Sequence, residues 1–210
     1  MQLELLKRME ITVFRAALEE IKIAKSSEGE VLTKPFLDAC KHMLPVVDKC
    51  GASMSLVKNI VDANIMKLES RYLSNPAKFN NLQSILRADA AAKATKSSSS
   101  CTTALLWLTR AMDFLVELFR NLLDHEDWSM IHACMISYNK TLKKWHGWIC
   151  GSSFMAIVKL VPDRNKVMEV IGGTKDVRHD MVLLCTTFPP LLEQNHKYLA
   201  GVGMDNHKSP

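Results

Sequence analysis

Several things are scarce in this 210-residue sequence, and each scarcity narrows what it encodes. There are only eight glycines and seven prolines, fewer than a protein of many short strands and tight turns requires, so the composition favours helix. Aromatic residues make up 7%, while hydrophobic residues reach 48%, enough to build a core and to exclude disorder as the dominant state. No apolar run approaches the length needed to span a bilayer. The first residues, MQLELLKRMEITVF, interleave charge with leucine and lack the apolar stretch of a signal peptide. Six cysteines stand at 40, 50, 101, 134, 150 and 185 without a C-x-x-C pair, a usage that fits reduced, mostly buried thiols in a cytoplasmic protein. The formal net charge is +5, yet no basic run exceeds two residues. That excess suits an anionic membrane surface or an acidic partner, and is too weak to indicate nucleic acid.

Catalytic and cofactor signatures are missing as well. No G-x-x-x-x-G-K-[ST] or G-x-G-x-x-G cradles a phosphate, no H-E-x-x-H offers a zinc pair, and no G-x-S-x-G forms a nucleophile elbow. Nothing here supports an enzyme, and no metal or cofactor is expected.

What the sequence does have is helical spacing. Phe14, Ala17, Leu18 and Ile21 mark an amphipathic helix over 12–25. Thr33 is placed to cap a second, with Pro35 in its first turn, a kink at Pro45 and a stop at Cys50-Gly51. A third runs from Ser53 to Leu73, and Asn75-Pro76 opens a fourth through Leu86. After the polar TKSSSS stretch comes CTTALLWLTRAMDFLVELFRNLL, apolar around most of its circumference and therefore expected to be buried. A single long helix is expected over 129–160, stopped by Pro162. A short one follows over 163–171, closed by Gly172-Gly173, and a last one runs from Lys175 to Gly201, disturbed at Pro189-Pro190. The reading is one all-α domain over 1–210, with its core in 12–203, about eight helices packed on two central ones (101–124 and 129–160), and a loose tail after Gly203.

Three blocks stand apart from this generic pattern: LVKNIVDANIMKLE followed by NPAKFNNLQSIL; LLWLTRAMDFL; and TLKKWHGWI. In this order and at these separations they resemble the glycolipid transfer protein family, its plant members in particular, over residues 33–200. The resemblance implies a two-layer all-α sandwich of eight helices. It implies a sphingolipid held with its chains in an apolar sleeve and its headgroup on a surface patch, and carried between membranes without ATP. The physics agrees with the need for a carrier. Two acyl chains hold on the order of 30 methylenes, each worth roughly 0.8 kcal/mol in water, and a ceramide amide entering a protein needs hydrogen-bond partners.

Carried over residue by residue, the resemblance makes His146 the donor to the acyl-amide carbonyl and Trp107 a platform for a sugar ring. A sphingolipid with a phosphate headgroup would call for a cation near that position, so Trp107 argues for sugar. Asn64 and Lys67 match the headgroup amide and cation, and their i, i+3 spacing puts both on one face. Trp148, with Lys144 beside it, matches a membrane-docking aromatic, or else packs in the core. Phe154 and Val158 match sleeve-lining positions, or else are ordinary core. One departure matters. Where the family has an aspartate four residues before the asparagine, this sequence has Ile60. Asp62 lies about 200° round an unshifted helix from that position, and Asn59 about 100°, so neither replaces it. The expected function is a glycosylceramide-type carrier with altered headgroup selectivity. The alternatives are a sphingolipid sensor that binds without efficient transfer, working through a protein partner the sequence does not identify, or a purely helical scaffold.

Overall fold

The computed structural model describes residues 12–49, 51, 54–172 and 177–209, and its regular elements there are all helices. They are α1 (Arg15–Ile23), α2 (Thr33–Lys49), α3 (Ser55–Ser74), α4 (Leu82–Ala91), α5 (Cys101–Asp124), α6 (Met130–Thr141), α7 (Trp148–Val158), α8 (Arg164–Gly172), α9 (Val177–Thr187) and α10 (Pro189–Gly201). The expected boundaries at Cys50, Ser53, Gly173 and Lys175 lie outside the described residues.

One helix organises the others. In α5, 18 of 24 residues are buried, as its all-round apolar pattern predicts. α3, α4, α6, α9 and α10 pack against it directly, while α1, α2 and α8 form the other layer. Both ends of α5 are satisfied by side chains. At its start, Ser100 accepts from the Thr103 N–H, and buried Asp89 accepts from the Thr102 N–H (2.8 Å) and hydroxyl (3.0 Å). At its end, the Arg164 guanidinium donates to the carbonyls of Leu122 (2.6 Å) and His125 (2.9 Å), occupying groups that a helix C-terminus leaves open. The buried apolar residues form one contiguous cluster from Phe14 to Met204.

Several expectations are corrected. Thr33 does not cap α2: its hydroxyl donates to the Phe79 carbonyl and its N–H to the Asn80 carbonyl, tying the helix start to the loop before α4. The fourth helix begins at Leu82, not Pro76, because Asn81 takes the capping position and accepts from the Ser84 N–H. The long helix over 129–160 is two helices. Leu142 and Lys143 both donate to the Tyr138 carbonyl, which ends α6, and Gly147 starts α7 in an extended conformation (ψ 179°). Nor is 129–160 a second central element, since Val158 alone is buried among the described residues of α7. Among the described residues the helices therefore number ten where about eight are expected, with Phe188 separating α9 from α10.

Finally, the tail is not loose. Gly203 takes φ +73°, and the N–H groups of Gly203 and Met204 bond back to the carbonyls of Ala200 and Leu199, a Schellman ending that only a left-handed residue permits readily. The reversal drives Met204 into the core, where it is fully buried.

Asp89 is the cap on which the central helix starts, and it also pairs with Arg71. Asp89→Ala leaves the two Thr102 donors unpaired, so urea unfolding should report a loss of about 1–3 kcal/mol. A change below about 0.5 kcal/mol would mean that water replaces the cap without cost.

Candidate functional site

Antiparallel packing brings the three sequence blocks to one end of the molecule. Along α6, Ser137 accepts from the Asn121 amide (2.9 Å) and Lys140 pairs with Glu117 (2.7 Å), so the chain descends α5 as its own numbering rises. The helix ends at Thr141, and the turn that follows arrives level with Trp107 and Arg110. α3 is also antiparallel to α5: the Cys101 thiol points at the Lys67 carbonyl, while Met54 shares a cavity wall with Leu115. At 1.5 Å per residue this register sets Ile60 and Asn64 level with residues 104–108, hence with Trp107.

His146 therefore sits in the break between α6 and α7 and not within a helix. Its ring lies 5.7 Å from Trp107 and 5.6 Å from Tyr138, centroid to centroid. Tyr138 in turn stacks on Phe154 at 3.9 Å, and Phe154 meets Phe114 edge to face at 5.8 Å. Burial first, and the nearby Arg110 charge second, hold the His146 pKa below its ordinary value of 6.5. The ring is thus neutral at physiological pH. Its buried Nδ1 has no hydrogen-bond partner among the described residues, and such a group is costly to leave unpaired.

Trp107 is partly buried, and Arg110 stands against it, guanidinium carbon 5.1 Å from the ring centroid. The same carbon lies 3.9 Å from the Trp145 ring. On α3, Lys67 reaches the Ser98 carbonyl (3.1 Å), so the TKSSSS loop borders the patch. Ile60 is 55% exposed on the same helix. Because α3 is uninterrupted, Asp62 keeps its angular offset of about 200° and does not take the place of a carboxylate at 60. Lys58 is engaged with Asp48.

One space adjoins this cluster, and another lies further along α5. An open groove of about 750 Å³ runs between α6 and α7, lined by Met135, Tyr138, His146, Trp148 and Met155 among others. A second space is an apolar cavity of about 20 Å³ between the layers, walled by Val46 and Val47 of α2, Leu115, Leu118 and Phe119 of α5, Cys134 of α6 and Ile171 of α8. Phe154 and Val158 are not among its walls. α7 carries no charged residue, yet leaves Trp148 85% and Ile149 65% exposed, with Lys144 exposed just before it. No helix of the described residues is long and apolar enough to cross a membrane.

The sequence reading gave no role to Arg110, Tyr138 or Trp145. The signal for the first was present: a lone arginine inside the apolar run LLWLTRAMDFL, where an unpaired cation is not tolerated.

Comparison with known proteins points in one direction. The family model for glycolipid transfer protein matches residues 31–173. Glycolipid transfer protein 1 of Arabidopsis thaliana is 56% identical over 96% of this chain and its own entire length. Glycolipid transfer protein 3 of the same plant is 34% identical over 99% of this chain and 96% of its own. Among solved structures, that of FAPP2 selecting simple glycosphingolipids through the same fold superposes with a TM-score of 0.86 at 24% identity, covering 95% of this chain and all of its own. An Arabidopsis ACD11 variant complexed with ceramide-1-phosphate gives 0.84 at 19%, covering 93% and 99%.

The depressed His146 pKa makes a signed prediction. As pH falls through 6.5, the unfolded chain takes up a proton that the folded site resists, so stability falls on acidification. His146→Gln should flatten that part of the pH dependence of the urea midpoint, and the His146 C2–H signal in NMR should titrate below 6.5. A midpoint at or above that value would contradict a desolvated, cation-facing ring.

Proposed function

The chain belongs to the glycolipid transfer protein family, and from that membership we propose that it is a non-enzymatic sphingolipid carrier of the glycosylceramide type. One observation carries the reading furthest. A neutral His146 with a buried, unpartnered ring nitrogen lies beside a partly exposed indole that a cation holds from behind. A ceramide amide carbonyl offers the partner this histidine lacks. A sugar ring offers C–H faces to the indole, and its hydroxyls come within the compass of Asn64 and Lys67 on α3.

The interlayer cavity suits the chains by its chemistry and not yet by its size. At about 20 Å³ it has room for little more than one water, so acyl chains enter by parting α2 from α5. Interlayer contacts there are apolar and non-directional, and separating them breaks no helical ladder. Phe154, held between Tyr138 and Phe114, and buried Val158 are the residues of α7 that we assign to the chains. Trp148, with Ile149 and Lys144, gives the molecule an amphipathic corner for a transient membrane contact, an indole and a cation at headgroup depth. We place this activity in the cytoplasm.

Ile60 supports altered selectivity. It cannot accept from the ceramide amide N–H or a sugar hydroxyl, so one polar group of the ligand goes unpaired at a cost of about 1–3 kcal/mol. The same substitution favours the second reading, a sensor that takes up ceramide or glycosylceramide but releases it poorly.

Native mass spectrometry after expression in a eukaryotic host, followed by vesicle-to-vesicle transfer of glucosylceramide, galactosylceramide and ceramide, separates these readings. A carrier binds and moves at least one of them, and a sensor binds without moving it. A protein that does neither ends both. Within the carrier reading, Ile60→Asp should raise glycosylceramide affinity about tenfold to a hundredfold. An unchanged affinity in a folded variant would remove the geometric account of position 60. Trp148→Ala should weaken partition onto phosphatidylcholine vesicles carrying anionic lipid severalfold while leaving unfolding unchanged, since the side chain is 85% exposed.

A further inference from the structure

Arg110 is 2% exposed in the middle of α5, a helix most of whose residues are buried. Burial pushes its pKa down to about 10, so the guanidinium keeps its charge at physiological pH and has to be accommodated as a cation. No carboxylate is bonded to it among the described residues. It donates instead to two main-chain carbonyls, those of His207 (2.7 Å) and Asp205 (3.1 Å) in the tail beyond α10. Its guanidinium carbon lies over the Trp107 ring at 5.1 Å and over the Trp145 ring at 3.9 Å. The tail makes a second attachment nearby: Ser209 donates its N–H to the Trp145 carbonyl (2.9 Å), and its hydroxyl oxygen accepts from the Gly147 N–H (3.0 Å). These two bonds bracket His146 in the chain. Met204, fully buried behind the Gly203 reversal, anchors the segment at its start.

We propose that Arg110 is a positioning residue for the headgroup platform, and that Met204–Ser209 is the clasp that holds it, so that headgroup preference is set in part by a segment outside the ligand patch. The recognition of a sugar by Trp107 rests on the carrier reading given above. The clasp itself does not. Carbonyl acceptors satisfy the guanidinium edge without neutralising it, which leaves the cation's attraction for both indole faces intact. Trp107 is thereby held at one orientation, Trp145 is fixed behind it, and the extended Gly147 that starts α7 is pinned. Releasing the tail loosens all three. A sugar-bearing ligand, which needs the indole in place, then suffers more than bare ceramide, which has no ring to stack.

Lysine is no substitute for this arginine, because a point ammonium lacks the planar fork that reaches two carbonyls while lying over two rings. The test therefore uses three variants of the full protein: Arg110→Met, Arg110→Lys, and a chain ended after Gly203. In the lipid-free state, the indole N–H signals of Trp107 and Trp145 in a ¹⁵N–¹H spectrum should shift in all three, while those of Trp128 and Trp148 stay in place. With phosphatidylcholine vesicles as donor, glucosylceramide affinity should fall about tenfold and ceramide affinity by less. If Arg110→Met does not fold, the shortened chain decides, since it keeps the arginine. Unmoved Trp107 and Trp145 signals overturn the clasp, whatever the protein binds. So does wild-type behaviour of Arg110→Lys. Equal losses for glucosylceramide and ceramide overturn the headgroup part. If the indoles move but the wild-type protein takes up no sphingolipid, the carrier reading fails and the clasp stands.

Discussion

A guanidinium taken out of water has to be given acceptors for its edge and something polarisable for its faces. At Arg110 that requirement draws together three parts of the chain far apart in sequence: α5, the break between α6 and α7, and the residues after α10. The break itself follows from the same end of the molecule. α6 stops where Tyr138 accepts two N–H groups and Gly147 turns outward, and this brings His146 beside Trp107 instead of burying it on a continuous helix. The site is a consequence of where a helix ends.

The interior answers a different demand. An ordinary helical protein closes its core once. Here the layers meet along apolar side chains with a cavity between α2, α5, α6 and α8, and α7 beside them has one buried residue despite lacking any charge. The polar bonds that fix the fold are placed elsewhere: Asp89 and Arg164 at the two ends of α5, and Thr33 on the loop before α4. Rigid, directional contacts thus hold the frame, while the surfaces that would part for lipid chains are held by contacts that can slide and re-form.

Much of this was legible in the sequence, and the reasons differ by element. α5 announces itself because apolar residues surround it, and α1 because its stripe is clean. The family resemblance follows from K-K-W-H-G-W and W-L-T-R, residue types that helix periodicity does not explain. The break at 142–147 was hidden because apolar spacing continues across it, and a two-fold bond to one carbonyl leaves no compositional mark. The tail was misread as loose since its polar composition matches that of disordered termini. Its order comes from backbone carbonyls, which every residue possesses, and from the conformational freedom of Gly203. Ile60 was visible at once, but that it stands 55% exposed on the patch needed the helix to be placed.

The distance along the chain between Arg110 and its acceptors has a consequence in time. The carbonyls of Asp205 and His207 lie 95 and 97 residues further on. At roughly 5–20 residues per second of synthesis, α5 exists for about 5–20 s before they do. During that interval α5, with most of its residues destined for burial, carries a cation without those acceptors. Arg110 therefore stays short of two acceptors until residues 205–207 emerge. Settling of Trp107, Trp145 and Gly147 therefore waits on residues 205–209, and the part of the molecule that would meet a headgroup is finished late.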